Sequence, residues 1–254
     1  MFKNSINLIF LAALLPLVIS CGDGNSNQIL RDLRTNQAKW ENLNANDYHY
    51  EYKESCCSIS DVSSRKVLVI ANEVVSITRS DNAEGLRPSQ YQTLTVDELF
   101  DRIRLEESRA DALIVEYDPI MGYPTLISVD GNFQIADDEY TISTEQLSLG
   151  HNTVCTLDFR PGLLLNVVDQ ADQSPMNCGL VATAEEGDFT EVVETNSSDC
   201  NDQMEISMLG ERAGFYTLTV EKAGYQTRII EDLGIGKDLC HVITREVTLE
   251  LTSL

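Results

Sequence analysis

Basic residues are scarce in this chain. Eighteen Lys and Arg stand against 41 Asp and Glu over 254 residues, a formal net charge of −23 at pH 7. A polyanion of this strength is repelled by nucleic-acid phosphates and by anionic headgroups, so no nucleic-acid partner is expected. A solvated, monodisperse surface accounts for such acidity; collection of cations or of a basic partner is the functional alternative. Histidine is scarcer still, with only His49, His151 and His241, and Trp40 is the single tryptophan. There is no G-x-S-x-G elbow, no H-E-x-x-H pair and no glycine-rich phosphate loop, which removes the common hydrolase, zinc-protease and nucleotide-binding signatures. C-x-x-C spacing is also absent. Neighbouring Cys240 and His241 in an extended segment face opposite ways and cannot share one ion. No catalytic residue, metal ligand set or cofactor is therefore expected.

What is present begins at the N-terminus. Lys3 precedes an apolar run from Ile6 to Ile19, followed by Ser20 and Cys21. The run is short for a membrane span and has the charged-then-apolar order of a secretory signal. Val18-Ile19-Ser20-Cys21 resembles the lipobox of bacterial lipoproteins. That resemblance implies a signal at 1–20, cleavage before Cys21, and acyl chains on the Cys21 thiol and the new amino group. Residues 21–28 then read as a short flexible tether, and Gly22 in place of aspartate resembles the outer-membrane sorting pattern. The expected location is the bacterial cell envelope, lipid-anchored at the outer membrane, with the membrane itself as one partner.

Setting Cys21 aside leaves Cys56, Cys57, Cys155, Cys178, Cys200 and Cys240, an even set that suits disulfides in an oxidising compartment. Many connectivities are open. Cys200, in the polar loop 195–203, and Cys240, near the last strand, form the expected pair. Closing such a loop contributes roughly 4 kcal/mol in the chain-entropy model.

Along the chain, 29–43 reads as a helix with Ile29, Leu30, Leu33 and Trp40 on one face. Tyr48, Tyr50 and Tyr52 alternate with His49, Glu51 and Lys53, which puts three rings on one side of a half-buried strand. Segments 67–70 and 74–77 suit a hairpin around Asn72 and Glu73. Thr95 with Glu98 forms a capping box, Leu94 and Leu99 a hydrophobic staple, and Val96, Leu99, Phe100 and Ile103 a buried stripe. Strands follow at 112–117, 125–129 and 139–147. Residues 29–150 are thus expected to form an α+β domain, an antiparallel sheet with covering helices.

Trp40, Tyr48-x-Tyr50, the cysteines near 56, Thr95 to Phe100, and Tyr117-Asp118-Pro119 with Gly122-Tyr123-Pro124 and Asp130 together resemble DUF6174 over roughly residues 35–147. Members of that group are bacterial secreted and lipoprotein domains without an assigned activity. The family often separates its two early cysteines by a residue, whereas Cys56 and Cys57 touch. A vicinal bridge, two separate bridges and free thiols all remain open.

Past Arg160-Pro161-Gly162 the helical period vanishes. Short strands at 163–168, 180–184, 215–220, 226–230 and 242–251 suit an all-β sandwich of about seven strands over 160–254. Tyr216, Leu218 and Val220 line one face, Gly224 supplies a turn, and Tyr225 folds back on the core. With Ser174-Pro175-Met176 and the ending from Asp238 to Val242, this half is similar to the carboxypeptidase regulatory-like, transthyretin-type module. That resemblance implies a scaffold or spacer.

Two surface features are weighed as sites. Asp130-Gly131-Asn132 and Asp137-Asp138-Glu139 gather hard oxygens as calcium would require, but their spacing is not that of an EF-hand and Asp-Gly-Asn also suits a turn. The loop 118–124 is the stronger candidate: two prolines and a glycine fix it, and with Asp118 it displays Ile120, Met121 and Tyr123, either as a rigid hairpin whose Tyr123 packs on the core or as an apolar knob for a protein partner or ligand. The expected role is a non-catalytic, interaction or structural one with an envelope protein partner. A periplasmic ligand-binding or inhibitor domain is the rival, marked by an apolar run on the sheet face away from Val96 and Phe100. An unrecognised hydrolase ranks last.

Overall fold

A computed structural model describes residues 23–56, 63–195 and 200–254; the signal-like segment, Cys21 and Cys57 lie outside them. Among the described residues the chain is mostly β, with fourteen strands and two α-helices. Helix α1 (Asp23–Glu41) starts earlier than expected, so residues 23–28 are helical and not a flexible lead. The apolar period is missing there, and polar pairs one turn apart tie the last of these residues, Gln28, into the turn that follows. Gln28 donates to the Asp32 carboxylate at 2.7 Å, and Arg31 donates to Gln28 Oε1 at 2.5 Å.

Seven antiparallel strands make the first sheet: β1 (Tyr48–Cys56), β2 (Arg65–Ile70), β3 (Glu73–Arg79), β4 (Gly85–Leu86), β5 (Ala112–Tyr117), β6 (Pro124–Asp130) and β7 (Tyr140–Leu149). Their spatial order is β4-β3-β2-β1-β7-β6-β5. The alternation in β1 buries Tyr48, Tyr50 and Tyr52, each about 1% exposed, against α1 and helix α2 (Val96–Glu107). These rings also serve the start of α2. Tyr48 Oη accepts the Val96 amide at 2.9 Å, one of the donors a helix start leaves without an internal partner, and Tyr50 donates to the Leu94 carbonyl. Trp40 packs edge-on to Tyr48 at 5.2 Å and donates to Asp97 at 3.0 Å. The Thr95–Glu98 capping box is formed in both directions.

The buried stripe of α2 extends one turn past Ile103, to Glu106. This carboxylate, 2% exposed, accepts Arg109 at 2.6 Å and Tyr140 Oη at 2.6 Å. Burial alone would raise its pKa; the bonds from Arg109 and Tyr140 outweigh burial and hold it below the ordinary carboxylate range.

Seven further strands follow: β8 (Leu163–Asp169), β9 (Leu180–Glu186), β10 (Phe189–Glu194), β11 (Ile206–Met208), β12 (Gly214–Lys222), β13 (Arg228–Ile235) and β14 (Arg245–Leu251). They form a four-stranded sheet, β10-β9-β12-β13, and a three-stranded one, β11-β8-β14, in which β14 runs parallel to β8. Both sheets feed one core, with Leu165, Val167 and Leu249 from one and Ala182, Tyr216 and Leu218 from the other. Gly224, at φ 84°, makes the turn after β12, and Tyr225 packs on the core and donates to Asp169 at 2.8 Å.

The expected Cys200–Cys240 bridge is not formed. Cys178 pairs with Cys200, and Cys155 with Cys240. Strand register gives the reason. Leu180 sits opposite Lys222 at one end of β12, while Ile235 sits opposite Gly214 at the other. Cys178 and Cys200 flank the β9–β10 hairpin at the first end, where the Gly179 amide meets the Thr195 carbonyl at 2.8 Å. Cys240 follows Ile235 at the second end, roughly 25 Å of strand away. There the connecting segment 153–162 passes with Cys155. Cys56 is disulfide-bonded as well.

Candidate functional site

The second half sits on the face of the first sheet that α1 and α2 leave bare. Alternation puts Leu68, Ser76, Thr78 and Gly85 on that face, and the first three are buried. The backbones touch: a Cβ on Gly234 would lie 2.0 Å from the Gly85 carbonyl oxygen, and one on Gly236 1.8 Å from Thr78 Oγ1. Only glycine permits this approach. Ile235 bridges to Glu84 across the seam, and the Lys237 amide donates to Ser76 Oγ at 3.1 Å. Charge closes the rim, with Arg87 on Asp232, Arg245 at 3.5 Å from Glu84, and the Arg87 guanidinium 4.1 Å over the Phe215 ring.

Three cavities open along this seam, of about 150, 200 and 200 Å³. Junctions between packed units are where small-ligand sites concentrate. The first is built most deliberately. Its floor is Leu68 and Ile243, and its wall carries His49, Glu51, Lys66, Gln146, Lys237 and Asp238. Opposite His49, strand β7 bulges: the register slips between His49 and Glu51, and Gln146 is held at φ 54°. A bulge bends its strand and re-aims a side chain, and such features gather beside functional sites.

The polar groups on this wall divide into committed and uncommitted ones. Asp238 Oδ1 accepts the Cys240 and His241 amides at 2.7 and 2.8 Å, and Glu51 accepts Ser64 Oγ at 3.2 Å. His49 Nδ1 is buried with no hydrogen-bond partner among the described residues. Burial pulls the His49 pKa below its ordinary value, against Asp238 and with the help of Lys66, so the ring is neutral at pH 7. No ion pair or side-chain hydrogen bond ties the Lys66 or Lys237 ammonium groups among the described residues.

The residues singled out from sequence lie elsewhere. Loop 118–124 is one rigid unit: Asp118 Oδ1 accepts the Ile120 and Met121 amides at 2.9 and 2.6 Å, and Lys39 of α1 donates to the Pro119 carbonyl at 3.2 Å. Gly122, at φ 83°, lies against the Asn36 carbonyl. Tyr123 is buried and Met121 packs on the core, so Ile120 alone, 83% exposed, projects outward. Around Asp130, burial and then Asp138, Glu139 and Asp111 raise the carboxyl pKa. Among the described residues no group of three or more His, Cys, Asp or Glu is placed to hold a metal ion.

A hydroxyl, an imidazole and a carboxylate do line up at His241. Thr156 Oγ1 is 3.1 Å from Nε2, and Glu211 Oε1 is 2.9 Å from Nδ1. A nucleophile would need free amides to receive an oxyanion. On the His241 side the amides are taken, those of Cys240 and His241 by Asp238 and those of Arg160 and Val242 by Glu211, and Thr156 itself is exposed and lines none of the three seam cavities. The row fastens the connecting segment beside the Cys155–Cys240 bridge.

The rest of the bare face, away from Val96 and Phe100, is polar. Register places Glu51, Lys53, Thr141, Ser143, Glu145, Ser128 and Glu116 on it, with Leu126 and Ile114 as its apolar members. Ile114 is 60% exposed. The apolar run that marks a peptide-binding sheet is not there.

Sequence reasoning passed over the seam pocket. One signal was available: buried positions in β7 run Ile142, Thr144, Leu147, Leu149, a one-residue slip in phase that marks the bulge at Gln146. Residues 32–149 match DUF6174, described as a family of unknown function. No curated protein and no solved structure gives a significant match to the chain.

Proposed function

We propose that this chain is exported, anchored through lipid on Cys21, and carries a body that binds rather than catalyses. The observation that carries this reading is the pair of bridges, Cys155–Cys240 and Cys178–Cys200, in a chain that opens on a signal-like segment. Disulfides of this kind persist outside the reducing cytosol. The first half reads as an α+β domain, with α2 over a seven-stranded sheet. The second reads as a carboxypeptidase regulatory-like sandwich, which its sheets of four and three strands support. An envelope protein partner and an outer-membrane location belong to this proposal, and nucleic acid does not. The test is an intact mass of the native chain beside Cys21→Ser. Loss of residues 1–20 with added acyl mass, both abolished by the substitution, is expected; an unmodified, uncut N-terminus rules the anchor out.

A second reading, a small-ligand-binding protein, is favoured by the seam pocket and its uncommitted nitrogens. The polar sheet face weighs against an extended peptide as that ligand. A hydrolase is the weakest reading, since Thr156 is exposed and lines none of the three seam cavities that could enclose a substrate beside it.

A further inference from the structure

We infer that the seam pocket bounded by His49, Lys66, Gln146 and Lys237 binds a small organic monocarboxylate, a proposal that rests on the ligand-binding reading above. The chain as a whole repels anions, so any anion site must be local and close-range. Here the cationic groups without a committed partner among the described residues are the two ammonium groups, with the Gln146 side chain beside them; the His49 ring lines the same wall, its Nδ1 closed to solvent. Charge-assisted bonds from lysine to a carboxylate are stronger than neutral ones and need no metal.

Size and surroundings narrow the ligand. A cavity of about 150 Å³ matches a small ligand and would enclose only a fraction of a nucleotide or oligosaccharide. Leu68 and Ile243 give it an apolar floor for a short carbon tail. The carboxylates of Glu51 and Asp238 share the wall and penalise a second negative charge, which disfavours phosphate dianion and dicarboxylates. The bulged, left-handed Gln146 places a neutral amide on the same rim.

Calorimetric titration of the full chain with butyrate, acetate, succinate and inorganic phosphate at physiological salt tests this. Butyrate is expected to saturate at one site and to bind more tightly than acetate, succinate or phosphate. Lys66→Gln and Lys237→Gln, both solvent-exposed and safe for folding, each weaken it about tenfold, as loss of one charge-assisted bond implies. Lys53→Gln, on the same face but outside the pocket, leaves binding unchanged. Absence of saturation by any probe overturns the site. Tighter binding of phosphate or succinate overturns the ligand class, and equal loss in Lys53→Gln reduces the effect to general charge. These outcomes are separate from the anchor, which the mass of Cys21 decides.

Discussion

The first half builds its core from a row of rings beneath two helices, whereas the second half has no α-helix among its described residues and closes two sheets with covalent bridges. Tyr48, Tyr50 and Tyr52 are buried to about 1% exposure and spend their hydroxyls on partners such as the start of α2, so hydrophobic burial and helix capping are one device. In the second half, the ends of β12 are secured by Cys178–Cys200 at one side and Cys155–Cys240 at the other. The contrast teaches where each half yields. The first half rests mainly on packing and hydrogen bonds, with a bridge only at Cys56 where β1 ends, while the second ties its sheet ends with links that a reductant removes, and the seam between them joins the two responses.

The contrast is open to attack at several points. The largest effect is expected from Cys155→Ser with Cys240→Ser. Its 85-residue closure is worth roughly 4.5 kcal/mol in the chain-entropy model, against roughly 3 for the 22-residue Cys178–Cys200 closure. Urea unfolding read by the single Trp40, which lies in the first half, and by far-UV dichroism for both halves separates the responses. Equal destabilisation by the two bridge deletions would erase the distinction between them. Phe100→Ala is next, at about 3–5 kcal/mol from transfer and cavity terms, with Trp40 emission shifting first.

Gly234→Ala attacks the seam. Its Cβ meets the Gly85 backbone, which is not a flexible side chain, and the loss is about 1–3 kcal/mol. The Trp40 and dichroism transitions then separate; if they stay coincident, the seam is not what couples the halves. Glu106 supplies a smaller and pH-dependent effect, about 1–3 kcal/mol for charge-assisted bonds to a buried carboxylate. Its folded pKa is depressed, so its contribution is complete above the ordinary carboxylate range and is lost as pH falls through the folded value. Melting temperature against pH should therefore drop more steeply on the acid side in the parent chain than in Glu106→Gln. Thr95→Ala is the smallest, about 1 kcal/mol for the lost cap, and it registers in the first half.

Much of the fold was legible because it follows local periods. The ring face of β1, the Thr95–Glu98 box and the stripe from Val96 to Ile103 depend on spacings of two to four residues, and the structure keeps them. Glu106 was missed because its local partner, Arg109 three residues on, reads as an ordinary surface helix pair, while Tyr140, the partner from the sheet, lies 34 residues away. The disulfide pairing was misread because nearness in a two-sheet half depends on which end of β12 each loop reaches. The seam was least legible of all. Ser76 and Lys237 are 161 residues apart, and Arg87 and Asp232 145 apart, so nothing in either neighbourhood announces the other. Loop 118–124 drew attention for the same reason in reverse, since its prolines and glycine are visible locally while its docking on α1 is not.

That the seam is a working site, not merely a place where two halves touch, is tested most directly by the histidine ring protons under butyrate titration. With only three histidines, each resonance is assignable by single substitution. A saturable shift of His49, with exposed His151 and the Glu211-held His241 unmoved, is the predicted result. A spectrum in which His49 does not move, or in which all three drift together without saturation, would contradict it.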